Sequence, residues 1–233
     1  MTFSQLIFFQ PLFNFLAFLI RIFGGSLGWA VIVLSVLIRF AFWPWNKKTM
    51  IDQRKMVKIQ PKINALQKEF SKDPLKANKE VMRVFKEEKI NPYNSFIFIF
   101  AQLIIFIALF SFFSQIVTSD WSVHLYSFMP FPDKVNYLFL GFFDLRQPSL
   151  FLAVFSAILN AILTFLQPSQ GQNKIMFLGL PFIILLFYKN FPSVVILYWV
   201  GFSLISIVQE YSLKKYFLKL QTEKQISQQK SQT

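Results

Sequence analysis

Five stretches of the chain are almost continuously apolar: residues 27–45, 96–117, 149–167, 175–188 and 193–209. A helix needs ~17–25 predominantly apolar residues to cross a bilayer, and all but the short 175–188 approach that length. The pattern predicts five transmembrane helices. The earlier run FSQLIFFQPLFNFLAFLIRIF behaves differently, because Gln10, Asn14, Ala17 and Arg21 recur on one helical face as a narrow, mostly polar stripe. Such a stripe favours an amphipathic helix lying in the outer membrane interface over a sixth span.

Pro44 is expected to end the first span, and the chain then turns basic. Met56, Ile59, Ile63, Leu66 and Phe70 recur at intervals of 3 and 4, the spacing of a helix that buries one seam. SKDP at 71–74 breaks the pattern. Asp73 can cap a second helix with Pro74 at its first position, and Val81, Val84 and Phe85 supply the facing edge. An antiparallel helical hairpin results. Pro61 either bends its first helix or marks the start of it, and Asn91 with Pro92 repeats the cap before the second span.

The expected order is an interfacial helix at 1–25, a first span at 26–45, a cytoplasmic hairpin at 46–95, a second span at 96–117, an extracytoplasmic loop at 118–148 and a third span at 149–167. A short cytoplasmic loop at 168–174, a fourth span at 175–188, an extracytoplasmic turn at 189–192, a fifth span at 193–211 and a basic cytoplasmic tail at 212–233 complete it. The fold class is an all-α membrane protein.

Composition strengthens this reading: 55% of the 233 residues are hydrophobic and 32 are Phe, more than a soluble core of this size uses. Charge supplies the orientation. Thirteen of the 24 Lys and Arg residues lie between Lys47 and Lys89, and five more lie in the tail, whereas 118–148 carries only Lys134 and Arg146 against three aspartates. The positive-inside rule places 46–95 and the tail in the cytoplasm. A net charge of +13 is thereby explained by topology, without a specific nucleic-acid partner. The hairpin is open to two uses, a solvated connector touching anionic lipid heads or a surface for a partner.

Enzymatic chemistry finds no foothold in these residues. There is no Cys, His124 stands alone in a polar loop, and no phosphate-binding glycine loop, activated nucleophile or paired carboxylates within a span can be found. No catalytic residue, metal or cofactor is expected. What calls for explanation is polarity inside the spans. Arg39 sits within VLSVLIRFAFWPW on the same face as Gly28, Ile32 and Ser35, and a bilayer-centre arginine costs ~2.5–3.5 kcal/mol on insertion scales. Ser156, Asn160, Thr164 and Gln167 share one face of the third span, Gln102 lies in the second, and Tyr198, Ser206 and Gln209 lie on one side of the fifth. If these faces converge, they form a hydrated, positively charged cavity open to the cytoplasm. The alternative is that Arg39, five residues before Pro44, reaches along the helix to the cytoplasmic interface while the hydroxyls bond their own backbone. No Asp or Glu occurs in a span before Glu210, so Arg39 is expected to lack an acidic partner.

With these parts in order, the chain resembles the YidC family of membrane protein insertases. The resemblance runs from FQPLFNFLAFL to VQEYSLKK and rests most on GWAVIVLSVLIRFAFWPW, IQPKINALQKEF, INP, AQLIIFIALF, TFLQ and FYKNFPSVVILYW. It implies a five-span core with a hydrophilic groove centred on Arg39, open to cytoplasm and lipid, through which polar segments of nascent membrane proteins pass while their hydrophobic segments enter the bilayer. The family's contact positions match Ser35, Tyr198 and Trp199, and Gln102 and Gln167 match its polar positions; Asn160 and Thr164 join them on the third span. The resemblance also implies the bacterial cytoplasmic (inner) membrane as location. Implied partners are nascent membrane proteins, membrane lipids, the ribosome, signal recognition targeting components and the general secretion channel.

Departures from the family pattern are Ser193, Val194 and Val195 after NFP, where small residues are frequent, a short tail, no large domain before the first span and no lipoprotein cysteine. Two other classes compete. A small transporter or channel would carry polar residues through the full bilayer depth and commonly carboxylates, and a structural subunit of a membrane complex would need no unpaired arginine.

Overall fold

The structure is a computed structural model that describes residues 10–91, 125–129, 134–167 and 185–230, with single helical positions at 97, 100, 104, 107, 110, 112, 113 and 116. Side chains are described to residue 219. Most of the fourth expected span, the loop at 168–174, Gln102 and His124 lie outside the described residues.

The chain is mostly helical. Helix α1 covers Gln10–Ile22, α2 Leu27–Ala41, α3 Trp43–Glu69, α4 Pro74–Glu87, α5 Leu150–Leu166 and α6 Ser193–Lys230. Among the described residues one helical stretch, Ser193–Lys219, is long and apolar enough to cross a membrane, and α2 with α3 makes a second when the bent pair is taken together. Helix α6 is the axis of the bundle: α2 packs along one side of it, α5 along another, and α1 packs on α2. Phe13 of α1, Leu27, Val31 and Leu34 of α2, Phe112 and Phe113, and Leu197 of α6 fill the core between them. Phe112 meets Phe13 edge-on at 5.6 Å, which brings that end of the second expected span against α1.

The N-terminal ends of α2 and α6 are tied to one loop. Leu27 N–H donates to Asn136 O at 3.1 Å, Ser193 N–H to Gln147 O at 3.1 Å and Val194 N–H to Leu145 O at 3.0 Å, so donors that a helix start leaves unpaired find acceptors. Within the loop, strands β1 (Leu138–Phe139) and β2 (Phe143–Asp144) pair antiparallel, Leu138 opposite Asp144 and Phe139 opposite Phe143. Phe139 covers Gly28 so closely that a Cβ there would lie 3.0 Å or less from three of its side-chain atoms. Arg146 Nη2 holds Asp144 Oδ2 at 2.8 Å, and this hydrogen bond lowers the Asp144 pKa below its ordinary value. Ser193, Val194 and Val195, the departure after NFP, are buried and well packed.

The break between the first span and the basic segment falls at Phe42, where α2 and α3 meet at 64°. Pro44, near the start of α3, has no N–H to give to Phe40 O, so an unbroken helix would lose a bond there. Helix α3 then runs without interruption through Pro61 to Glu69, which overturns the reading of Pro61 as a helix start. Ile59 and Ile63 of α3 bury against Val81, Val84 and Phe85 of α4, with Met56 and Leu66 at the edge, and Asp73 Oδ1 accepts Lys76 N–H at 3.0 Å as the cap of α4. At the other end α6 continues through the basic tail to Lys230, because no Gly or Pro follows Gly201.

The stripe on α1 is split. Asn14 and Ala17 are buried, Arg21 is exposed, and the outward positions include Phe15, Phe18 and Ile22. Asn14 Nδ2 donates to Gln10 O at 2.8 Å while its Oδ1 accepts Tyr126 N–H at 2.8 Å, so this polar residue fastens α1 to the loop.

Candidate functional site

Polar side chains line the face of α6 that meets α2, α3 and α5. Nearest the loop, Ser193 Oγ donates to Gln147 O. Further along, Asn160 of α5 is the centre of a small network: its Oδ1 accepts Trp199 Nε1–H at 3.2 Å, and its Nδ2 donates to Ser203 Oγ at 3.3 Å and to Ser156 O at 2.9 Å. Thr164 Oγ1 donates back to Asn160 O at 2.8 Å. The bonds to Trp199 and Ser203 join α5 to α6, and all four satisfy groups that hydrocarbon would leave unsatisfied at a cost of ~1–3 kcal/mol each.

On the α2 side, Ser35 donates to Ile32 O at 2.6 Å and lies against Gly201. A Cβ at position 201 would collide with Ser35 Oγ and stand 3.3 Å from its Cβ, so the missing side chain is what lets α2 and α6 approach here. One turn beyond Ser35, Arg39 is 5% exposed. Its Nε donates to Gln209 Oε1 at 2.7 Å, and its guanidinium carbon stands 4.7 Å from the centre of the Phe202 ring. Among the described residues no carboxylate pairs with Arg39, as expected, and the geometry adds what the sequence reading did not name: a neutral acceptor and an aromatic face.

The neighbouring carboxylate is engaged elsewhere. Glu210, fully buried, forms an ion pair with Arg54 of α3, and Arg54 also lies 5.4 Å from the Phe217 ring centre. Sequence reasoning passed over Arg54, which reads as one more basic residue of the hairpin. Glu210 itself carried a signal, being the first carboxylate after Asp144. Gln209 Nε2, Arg54 Nη1, Glu210 Oε2 and Tyr198 OH are buried without a hydrogen-bond partner among the described residues, so this region retains polar capacity that its own side chains do not use.

The expected residues therefore fall into four groups. Ser35, Arg39, Asn160 and Trp199 are brought to the seams around α6. Tyr198 is 3% exposed and packs on Phe113 and Phe202, so its ring belongs to the apolar core. Thr164 and Gln167 lie toward the end of α5, half-buried, with Gln167 as the residue that ends the helix. Gln102 lies outside the described residues.

An arginine buried beside the last helix and a basic α3–α4 hairpin are among the features that the YidC resemblance implies. A model of the family described as 60Kd inner membrane protein matches residues 18–221. The chain belongs to that family. It is 31% identical over 219 residues to the membrane protein insertase YidC of Buchnera aphidicola subsp. Schizaphis graminum, an alignment covering 91% of this chain and 38% of that protein. It is 29% identical over 196 residues to the protein of that name from Polynucleobacter asymbioticus, covering 83% of this chain and 33% of that protein. The corresponding protein of Burkholderia ambifaria is 30% identical over 197 residues, again 83% of this chain and 33% of the relative. The chain thus spans about a third of the length of the curated relatives it matches. The resemblance drawn from the sequence is borne out, and the matched family is one of inner membrane proteins.

Proposed function

We propose that the chain is a membrane protein insertase that passes polar segments of nascent membrane proteins along the Arg39 side of α6 and releases their hydrophobic segments into lipid. The observation that carries this reading is the burial of Arg39 between α2 and α6 on a neutral acceptor, Gln209, so that its positive charge is held inside the bundle without being cancelled on the spot. Family membership supports the same activity. A side chain that only reached for the interface would be exposed rather than 5% accessible.

Five spans complete the arrangement. They are the expected spans 26–45, 96–117, 149–167, 175–188 and 193–211, with the hairpin and the end of α6 in the cytoplasm and the 118–148 loop outside. Ser35, Arg39, Gln102, Asn160, Thr164, Gln167, Tyr198 and Trp199 contact the substrate or shape its path. The bacterial inner membrane is the site of action, and the hairpin and basic tail offer surfaces to the ribosome, targeting components or the secretion channel. No catalytic step or cofactor takes part.

The distribution of polarity favours a one-sided groove over a conducting pore. Toward the loop the bundle is filled by fully buried Phe112, Phe113, Leu27 and Val31 with Phe13 and Leu197 beside them, whereas Ser35, Arg39, Asn160, Ser203, Ser206 and Gln209 lie deeper. A conduction path needs hydration through the whole depth.

The test compares two substrates that differ only in the charge of a short translocated tail. Arg39→Ala impairs insertion of the acidic tail more than the neutral one, and Arg39→Lys retains much of the wild-type activity because a positive charge remains. Equal defects for both tails would assign Arg39 to shape alone, and no defect for either would end the reading.

A further inference from the structure

We propose that Arg54 of the hairpin holds Glu210 away from Arg39 and so sets the positive charge that the groove offers to an acidic segment. This rests on the insertase reading and adds to it a residue that tunes specificity.

Gln209 and Glu210 are consecutive on α6, about 100° apart around a helix of 3.6 residues per turn. They serve different partners: Gln209 holds Arg39 of α2, and Glu210 holds Arg54 of α3. Two guanidiniums and one carboxylate leave one net positive charge in the cluster. Without Arg54 the sum is zero, and the buried carboxylate, already near enough for its field to act on Arg39, has that guanidinium as the next cation to satisfy it. Glu210 Oε2 is buried with no donor among the described residues, so the carboxylate has an acceptor free for such a change. Lys214, one turn further along α6, also acts on Glu210, but it is exposed and screened by solvent, whereas the Arg54 side chain is 11% exposed.

Arg54 is well fixed in this position. Glu210 takes its Nη2, and the Phe217 ring, two turns beyond Glu210, lies 5.4 Å from its guanidinium carbon. The helix that carries it is the one that carries the α4 seam at Ile59 and Ile63, so a movement of the hairpin that draws α3 from α6 also releases Glu210. The charge facing a substrate is then coupled to hairpin position through a single partner exchange.

The experiment uses the full chain in vesicles of inner-membrane lipids, the acidic-tail and neutral-tail substrates, and the ratio of their insertion yields at equal insertase content. Arg54→Gln lowers the acidic-to-neutral ratio about fivefold, the worth of one charge contact of ~1 kcal/mol in a watery setting. Arg54→Lys stays near wild type, and Glu210→Gln added to Arg54→Gln restores the ratio. An unchanged ratio in Arg54→Gln, or a loss that Glu210→Gln fails to rescue, overturns the proposal. Should Arg54→Gln not accumulate, Glu210→Gln alone decides: the ratio rises above wild type, and a ratio that does not rise overturns it equally. A charge-blind Arg39→Ala strikes at the insertase site itself and takes this inference with it. A charge-dependent Arg39→Ala beside a charge-blind Arg54→Gln strikes at this inference alone.

Discussion

Gln209 accepts the Nε–H of Arg39 at 2.7 Å across the α2–α6 seam, and this bond decides how a guanidinium can sit inside an apolar bundle without an ion pair. Truncating Gln209 to Ala leaves a buried charged donor without its acceptor, a loss of ~1–3 kcal/mol or more for a charged group. The expected outcome is a lower thermal unfolding midpoint in detergent, together with weaker insertion. Gln209→Glu is expected to keep the fold and weaken insertion of acidic tails, because it places a carboxylate directly on Arg39. A Gln209→Ala protein as stable as wild type would show that the bond contributes nothing net.

Gly201 is the contact point between α6 and Ser35. Gly201→Val introduces atoms where Ser35 already stands and is expected to cost ~1–3 kcal/mol by overpacking. Ser35→Gly in the same chain removes the obstructing side chain and recovers part of the loss. Thermal denaturation of the single and double variants measures the coupling, and additive effects would argue that the two positions do not touch.

Asn160 joins Trp199 and Ser203, so Asn160→Leu strips both of these bonds from the α5–α6 seam, along with one within α5, while keeping a similar branched shape. Trp199 fluorescence is expected to shift as its indole N–H loses its acceptor, with limited proteolysis showing α5 loosened from α6. An unchanged spectrum, after replacement of the other tryptophans by Phe, would place Trp199 elsewhere.

Topology has a direct check in the five-span arrangement proposed above. Cysteine at Lys72 is protected from an impermeant thiol reagent in intact cells, and cysteine at Gln147 reacts, both positions being exposed. Labelling at 72 from outside would invert the orientation.

Replacing residues 62–88 by a short flexible link removes the α4 half of the hairpin yet leaves Arg54 and Glu210 in place. The shortened protein is expected to remain in the membrane with normal protease resistance of α2, α5 and α6 and to insert substrates poorly. Full insertion by it would reduce the hairpin to a connector.

Elements whose causes are local were legible in the order of the residues. Apolar periodicity marked α2, α5 and α6, the 3-and-4 spacing of Ile59 and Ile63 marked the hairpin seam, and Asp73 with Pro74 marked the start of α4, because each depends on neighbours within a few turns. The same local logic placed Arg39 and Ser35 on one face. What those faces meet depends on long-range packing. Pro61 could be read as a helix start, yet packing against α4 carries α3 through it. The acceptor of Arg39 is a neutral glutamine 170 residues away, and Arg54 is one of thirteen basic residues between Lys47 and Lys89 that look alike in the chain. Which of those residues is buried depends on α3 bending at Phe42 so that Arg54 returns against Glu210, a long-range consequence of helix packing that no spacing in the chain encodes.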